Sequence, residues 1–290
     1  MSTAVSLKFS IAKLDTLPAM PAIAQKLLSL ALDTDEGEAQ LLRLIEQDPL
    51  IAAKIIGLAN SPMFGSSRKV NSVNDASMLL GLTRVKSVAI GIATLSAVTK
   101  FPGGLLKAND LWMHSMTIAL VMRNLARAMP VRTRPLEDQI FLAGLLHDIG
   151  YMALSFLDTP ASDALHTQLL AQPERSVLEI EQELIGMTHG EIGAQLGRHW
   201  DLPEEIIAVM RFHHTPDDAG ATEAQTLVRL VNLAERLLPG FGVSEQGEQG
   251  EPTISEEDWM KLGITPEKAE DIIEGIATIA EQAGQFAGAV

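Results

Sequence analysis

Apolar residues recur along this chain at intervals of three and four and almost never alternate with polar ones, so the pattern predicts helices throughout and no strands. Leu17-Pro18-Ala19-Met20-Pro21 opens the first helix, with Ile23, Leu27, Leu28 and Leu30 as its stripe, because proline is tolerated in a first turn. Asp33–Gly37 is expected to break it. A second helix over Glu38–Gln47 points Leu41, Leu42 and Ile45 inward. Asp48-Pro49, an N-cap followed by a first-turn proline, starts a third, for which the spacing selects Leu50, Ala53, Ile56 and Ala59 as core. Asn60–Gly65 reads as a turn cluster.

Ser72–Asp75 has the form of a capping box for a helix ending at Gly81, and Thr83 is expected to cap the next, Arg84–Lys100. Helix, glycine turn and helix together outline a helix-turn-helix. The second helix, however, has too few Arg, Lys, Asn or Gln to read base edges, and its apolar content predicts burial. Further helices follow: one from about Asp110 through Met129, then Glu137–Gly150, Asp163–Leu170, Ser176–Gly186 and a Thr188/Glu191-capped helix. The last of these carries Gly190, Gly193 and Gly197 for close packing. Leu202–Glu205 starts the helix that ends at His213-His214. Gln225–Leu238 is amphipathic, Pro239–Pro252 is a Gly/Glu-rich linker, and Ser255–Asp258 and Thr265-Pro266 cap two final helices.

The centre of the pattern is Phe141–Tyr151, FLAGLLHDIGY, where His147-Asp148 follows an apolar run and so falls at the inner end of a helix. An isolated His-Asp pair is usually a buried hydrogen-bonded couple. Of seven histidines, however, five (His114, His147, His189, His213 and His214) fall at or near predicted helix ends, which is where bundles assemble metal sites. His166 and His199 are assigned to structure or surface. Cysteine is absent, so a metal would be held by His, Asp, Glu or Asn.

Aromatic residues make up 4% and apolar residues 47% of the 290, enough for a large Leu/Ala/Ile-rich core. The net charge of −15 is uneven. Ten basic residues face eight acidic ones in the first hundred, seven face eleven in the second, and five face eighteen in the remainder. That acidic final third repels phosphate backbones, so no nucleic-acid partner is expected. The N-terminus lacks a signal-peptide pattern, and Val88–Val98, read as the longest apolar run, is too short to span a bilayer, so no membrane association and a cytoplasmic location are expected.

LPAMPAIAQKLL, IEQDPLIAAKIIGLANSPMFG, DASMLLGLTRVKSVAI, LWMHS, LAGLLHDIG, HGEIGAQLGRHWDLPEEI and RFHH, in that order, resemble the HDOD (HD-related output domain) family, a relative of the HD superfamily. The resemblance implies an all-α fold: a lead-in over 1–16, an HDOD domain over 17–238 (an N-terminal helical part, 17–108, and an HD-like part, 109–238), and an acidic linker with C-terminal helices over 239–290. It implies a bacterial signalling or regulatory output with a protein partner, either another protein of the pathway or a second copy of the chain. It also makes His114, His147, Asp148, His189, His213 and His214 candidate ligands for a divalent transition metal (Fe, Mn, Zn or Ni).

Two departures weigh on catalysis. Where an HD hydrolase closes its site with an aspartate, the sequence offers Asn232, a neutral and weaker ligand. HDIGY and HHTPDDAG also replace the HDIGK and HHExxDGxGYP runs of the HD-GYP type, and Arg211 is the nearest motif-linked cation. A non-catalytic output module with a residual metal or ligand cavity is therefore the first expectation, with no catalytic residue assigned. A metal-dependent phosphohydrolase acting on a nucleotide or phosphoester is the second, and a DNA-binding regulator the weakest.

Overall fold

The computed structural model describes residues 16–61, 64, 69–99, 104–238 and 254–287, so the 1–16 lead-in up to residue 15, half of the Asn60–Gly65 turn and the 239–252 linker lie outside the described residues. Among the described residues every regular element is helical. In the first part these are α1 (Ala22–Leu28), α2 (Asp35–Glu46), α3 (Pro49–Ala59), α4 (Val73–Leu80) and α5 (Leu82–Val98). The second part contains α6 (Ala108–Ala128), α7 (Glu137–Leu146), α8 (Ile149–Leu157), α9 (Thr159–Ala171), α10 (Val177–Leu184), α11 (His189–His199), α12 (Glu204–Phe212), a 3-10 turn (Ala219–Ala224) and α13 (Gln225–Arg236). Two more helices follow, α14 (Glu256–Lys261) and α15 (Pro266–Ala287).

The predicted caps form largely as expected. Asp48 Oδ1 accepts from the amides of Leu50 and Ile51, Ser72 Oγ from Asp75 N, and Thr188 and Glu191 make a complete capping box. Several boundaries differ, and α9 begins at Thr159 under an Asp158 cap, four residues ahead of the expected Asp163. Thr34 Oγ1 accepts from Gly37 N, so α2 begins at Asp35 inside the expected break. Gly81, at a φ of 88° that glycine tolerates, ends α4 and launches α5 at Leu82 without help from Thr83. The predicted Glu137–Gly150 helix breaks at His147-Asp148, so α7 and α8 meet at the pair instead of running through it.

The α3 face also differs, since Ile51, Ile55 and Leu58 are buried while Leu50 is 52% exposed. This helix is apolar on nearly every side, so its spacing does not single out a face. The longest apolar stretch is the α7–α8 pair, Glu137–Leu157, not Val88–Val98. By length and composition it could cross a bilayer, but 89% of its apolar window is buried inside the protein, as a core helix requires.

The core centres on α6, buried on all sides from Leu111 to Met122, with α7, α13 and α15 packed against it. The α5 helix is buried from Ser87 through Thr94, consistent with a core helix and not with an exposed reading head. Arg84, itself buried, donates to Glu137 Oε1 at 2.8 Å and sits 5.2 Å over the Phe141 ring, fastening α5 to the first turn of α7. At Gly144 a Cβ would lie 2.6 Å from Ala119 Cα, so only glycine lets α7 approach α6 this closely. The indole of Trp200, at the end of α11, donates to Pro18 O at 2.8 Å, tying the chain ahead of α1 to the second part. The C-terminal helices fold back on the body, where Lys268 Nζ donates to the Ala128 carbonyl at the end of α6.

Candidate metal centre

Helix ends deliver the donors. His147 is the C-cap of α7, Asp148 the N-cap of α8, His189 the first residue of α11 and His213 the C-cap of α12, while His114 projects from α6. Two glycines permit this convergence. A Cβ at Gly150 would overlap the His189 carbonyl, and one at Gly190 would meet Met210 O at 2.7 Å, so α8, α11 and α12 come together where side chains would hold them apart. All six sequence candidates are brought together, whereas His166 and the exposed His199 stand outside the cluster.

Hydrogen bonds on the far ring nitrogens orient the imidazoles. His147 Nδ1 donates to Gly144 O at 2.9 Å, His213 Nδ1 to Met210 O at 3.0 Å, and His189 Nδ1 to Glu181 Oε1 at 2.7 Å. Each bond leaves Nε2 facing inward with its lone pair available to a cation. Glu181, wholly buried, also accepts from the His189 amide at 3.0 Å, which offsets the unfavourable placement of an imidazolium at a helix N-terminus.

The inward atoms form two overlapping sets. In the first, His114 Nε2 and His147 Nε2 are 3.2 Å apart, each is 3.4 Å from Asp148 Oδ2, and His147 Nε2 is 3.3 Å from Glu235 Oε1. In the second, His189 Nε2 and His213 Nε2 are 3.0 Å apart and lie 3.3 and 3.5 Å from Asp148 Oδ1, with His214 completing the group. Atoms bound about 2.1 Å from a shared ion sit about 3.0–3.4 Å from one another, so these separations are those of coordination shells. Asp148 offers one oxygen to each set, as a carboxylate bridging two ions does. Buried atoms of Asp148 (Oδ1), Glu235 (Oε2) and His214 (Nε2) make no hydrogen bond among the described residues, so the donor set fits divalent cations.

Glu235 corrects the expectation of a missing anionic corner. Asn232 is not the closing ligand: its amide donates to His213 O at 2.8 Å and braces the backbone, while Glu235, 4% exposed and one turn further along α13, supplies the carboxylate. Its signal was the buried stripe Val228, Val231, Glu235, where a carboxylate falls at an apolar position. Tyr151, in place of the lysine of HDIGK, stacks on His189 at 4.2 Å. Arg211 is surface charge, 40% exposed and 4.0 Å from Glu191, while Arg229, Arg236 and Lys261 line a cavity that His214 also lines.

Burial by itself would neutralise these groups, but they charge one another. It would raise the Asp148 carboxyl, yet His147, His114 and His189 hold it well below the usual carboxylate range. Burial likewise opposes ionisation of Glu235, and the imidazoles of His214, His213 and His147 bring it down to about 2. His147 is pushed well above the usual range against burial by Asp148 and Glu235, and His189 rises to about 10 through Glu181 and Asp148. Burial and His213 lower His214 to about 3, against the pull of Glu235. The metal-free cluster thus stores protons that a cation would expel.

Three comparisons bear on identity. An uncharacterised Treponema pallidum protein is 27% identical over 248 residues, covering 81% of this chain and 45% of that protein. The structure resembles a candidate signal transduction protein from Marinobacter aquaeolei at 28% identity and a TM-score of 0.75, covering 94% of this chain and 59% of that one. The chain therefore spans about half the length of these two relatives. An HDOD domain protein from Geobacter sulfurreducens shares the fold at 23% identity and a TM-score of 0.77, over 93% of this chain and 92% of its own. With residues 17–216 matched by the HDOD domain, this chain belongs to the HDOD family.

Proposed function

We propose that this HDOD protein is a signalling component whose buried cluster binds two divalent transition-metal ions and hydrolyses a phosphoester. The observation that carries the reading is Glu235. It restores the carboxylate that the sequence lacks at Asn232, so that Asp148 bridges two donor sets in place of crowning one. His114, His147, Asp148 and Glu235 would hold one ion, and Asp148, His189, His213 and His214 the other. Bound cations supply Lewis-acid polarisation and charge neutralisation to a phosphoryl group. The chain's own residues do the rest: Glu181 holds the His189 ring in one tautomer, the Gly144 and Met210 carbonyls do the same for His147 and His213, and Tyr151 excludes water from one face of His189.

The test is elemental analysis of untagged protein, followed by a nucleotide and phosphodiester panel with manganese or iron. About two ions per chain, with turnover abolished in Asp148→Ala, is expected. Protein that takes up no transition metal and turns over nothing would refute the proposal.

A second reading, an output that acts through protein contacts without turnover, is favoured by the burial of the cluster. Asp148 is 2% and His147 0% exposed. Full metal loading with no activity on any phosphoester would select it.

A further inference from the structure

The cluster reaches solvent at His214, whose side chain is 24% exposed, while those of Asp148, His147, His189 and Glu235 are at most 5% exposed. His214 forms one wall of a cavity of about 290 Å³ whose charged lining is Asp217, Arg229, Arg236, Asp258 and Lys261. Three cations face two carboxylates there on a chain whose overall charge is −15, and a third carboxylate, Glu257, stands 3.2 Å from Lys261 Nζ just outside the lining. The larger cleft nearby, about 640 Å³, is lined by Glu204, Glu205 and Glu223 without a cation and does not touch His214.

The cations are held in place by their partners. Arg229 Nη2 and Lys261 Nζ donate to the two oxygens of Asp217 at 2.9 and 3.2 Å, and Arg236 Nη2 donates to Asp258 Oδ2 at 3.0 Å. Asp258 is also held by the amide and hydroxyl of Ser255 at 2.8 and 2.9 Å. Arg236 and Ser255 together keep its carboxyl at about 2, fully ionised. Arg229 Nε is buried and makes no hydrogen bond among the described residues, which leaves a donor unused beside the cavity.

We propose that this cleft is an anion subsite, built jointly by α13 and α14, which receives a phosphate group of the substrate beside the metal centre while Asp258 occupies Arg236 until that anion replaces it. The inference rests on the phosphoester reading above. A phosphate brings up to twice the charge of a carboxylate and three acceptor oxygens, and the guanidinium fork matches its geometry, so it can displace Asp258 from Arg236. The volume, close to the lower bound of about 300 Å³ for small-molecule pockets, takes a phosphate and little more. Every charged residue of the subsite lies beyond the matched 17–216 span, and Asp258 and Lys261 come from the C-terminal segment that packs back on the body.

The test titrates inorganic phosphate into the full-length chain by calorimetry, both metal-free and loaded with manganese, and measures metal content in parallel. The combined Arg236→Gln and Lys261→Met variant is expected to weaken phosphate binding by about tenfold or more, since two charge-assisted bonds go. Asp258→Asn, which keeps the amide-to-Ser255 cap, is expected to strengthen it several-fold. Affinities within about twofold of the parent in both variants, or a parent that ignores phosphate at millimolar concentration, would overturn the subsite. Should the double variant fail to fold, the single Lys261→Met change carries the same comparison. A chain that takes no metal but whose phosphate affinity follows these variants loses the metal centre and keeps the subsite. Full metal loading with indifferent phosphate binding does the reverse.

Discussion

Gly150→Ala tests the helix contact on which the cluster depends. A methyl at this position would overlap the His189 carbonyl oxygen and lie 2.8 Å from its carbon and 2.9 Å from Gly193 N, all backbone atoms that cannot swing aside. Restoring ordinary contact at 3.4 Å means moving α11 away from α8 by about 0.6 Å or more, the difference between the two distances. Overpacking of this kind costs about 1–3 kcal/mol, which lowers the melting midpoint of a chain this size by roughly 2–5 °C. The same displacement carries His189 outside the tolerance of about 0.2 Å that a metal site allows. Scanning calorimetry and elemental analysis of parent and variant are the assays. The expected result is a lower midpoint together with loss of metal from the set containing His189. An unchanged midpoint with unchanged metal content would refute the close approach of α8 and α11 as the device that assembles the site.

Other outcomes follow from the same geometry. Gly57→Ala, on an exposed turn of α3 where nothing lies within 4 Å of the new methyl, should stabilise the fold by about 0.5–1 kcal/mol, the reverse of Gly150→Ala, as read by chemical denaturation. Glu181→Gln weakens the grip on His189 and should reduce metal affinity about 10–100-fold in a chelator competition without removing a ligand. Metal uptake near neutral pH should release protons, because the raised pKa values of His147 and His189 keep both protonated in the metal-free chain. Calorimetry in buffers of different ionisation enthalpy detects the release, and a proton count of zero contradicts the assignment. For the metal-free fold, the raised pKa of His189 contributes stability that is fully present below about pH 6.5 and is lost as pH climbs through about 10. A denaturation midpoint that stays flat between those limits would count against the Glu181 pairing.

Much of this was legible in the sequence because caps and hydrophobic spacing are local. The Thr188/Glu191 box, the Asp48-Pro49 start and the glycines of α11 all do what their residue types predict. The six histidine and aspartate donors were legible for a different reason: a buried imidazole needs a partner, and so many at helix ends point to a shared one. Glu235 and Glu181 were not read because each lies within an amphipathic helix, acidic in the case of α10, where a glutamate is ordinarily solvated. Only the phase of the apolar stripe, which Val228 and Val231 set, marks Glu235 as buried. The break between α7 and α8 was hidden too, since the run from Ile140 to Leu157 is apolar on both sides of it and no glycine or proline sits at the pair itself. The basic cleft could not be seen at all, because Lys261 meets Asp217 across 44 residues of chain.

The hydrogen bond from Trp200 to Pro18 makes α11 a strut fixed at both ends, roughly 16 Å long at 1.5 Å per residue. One end bears the indole that grips the chain ahead of α1, and the other bears His189. A push or pull on that N-terminal stretch is therefore delivered lengthwise to an imidazole of the cluster, a mechanical linkage by which an event on one half of the molecule can be felt at the other.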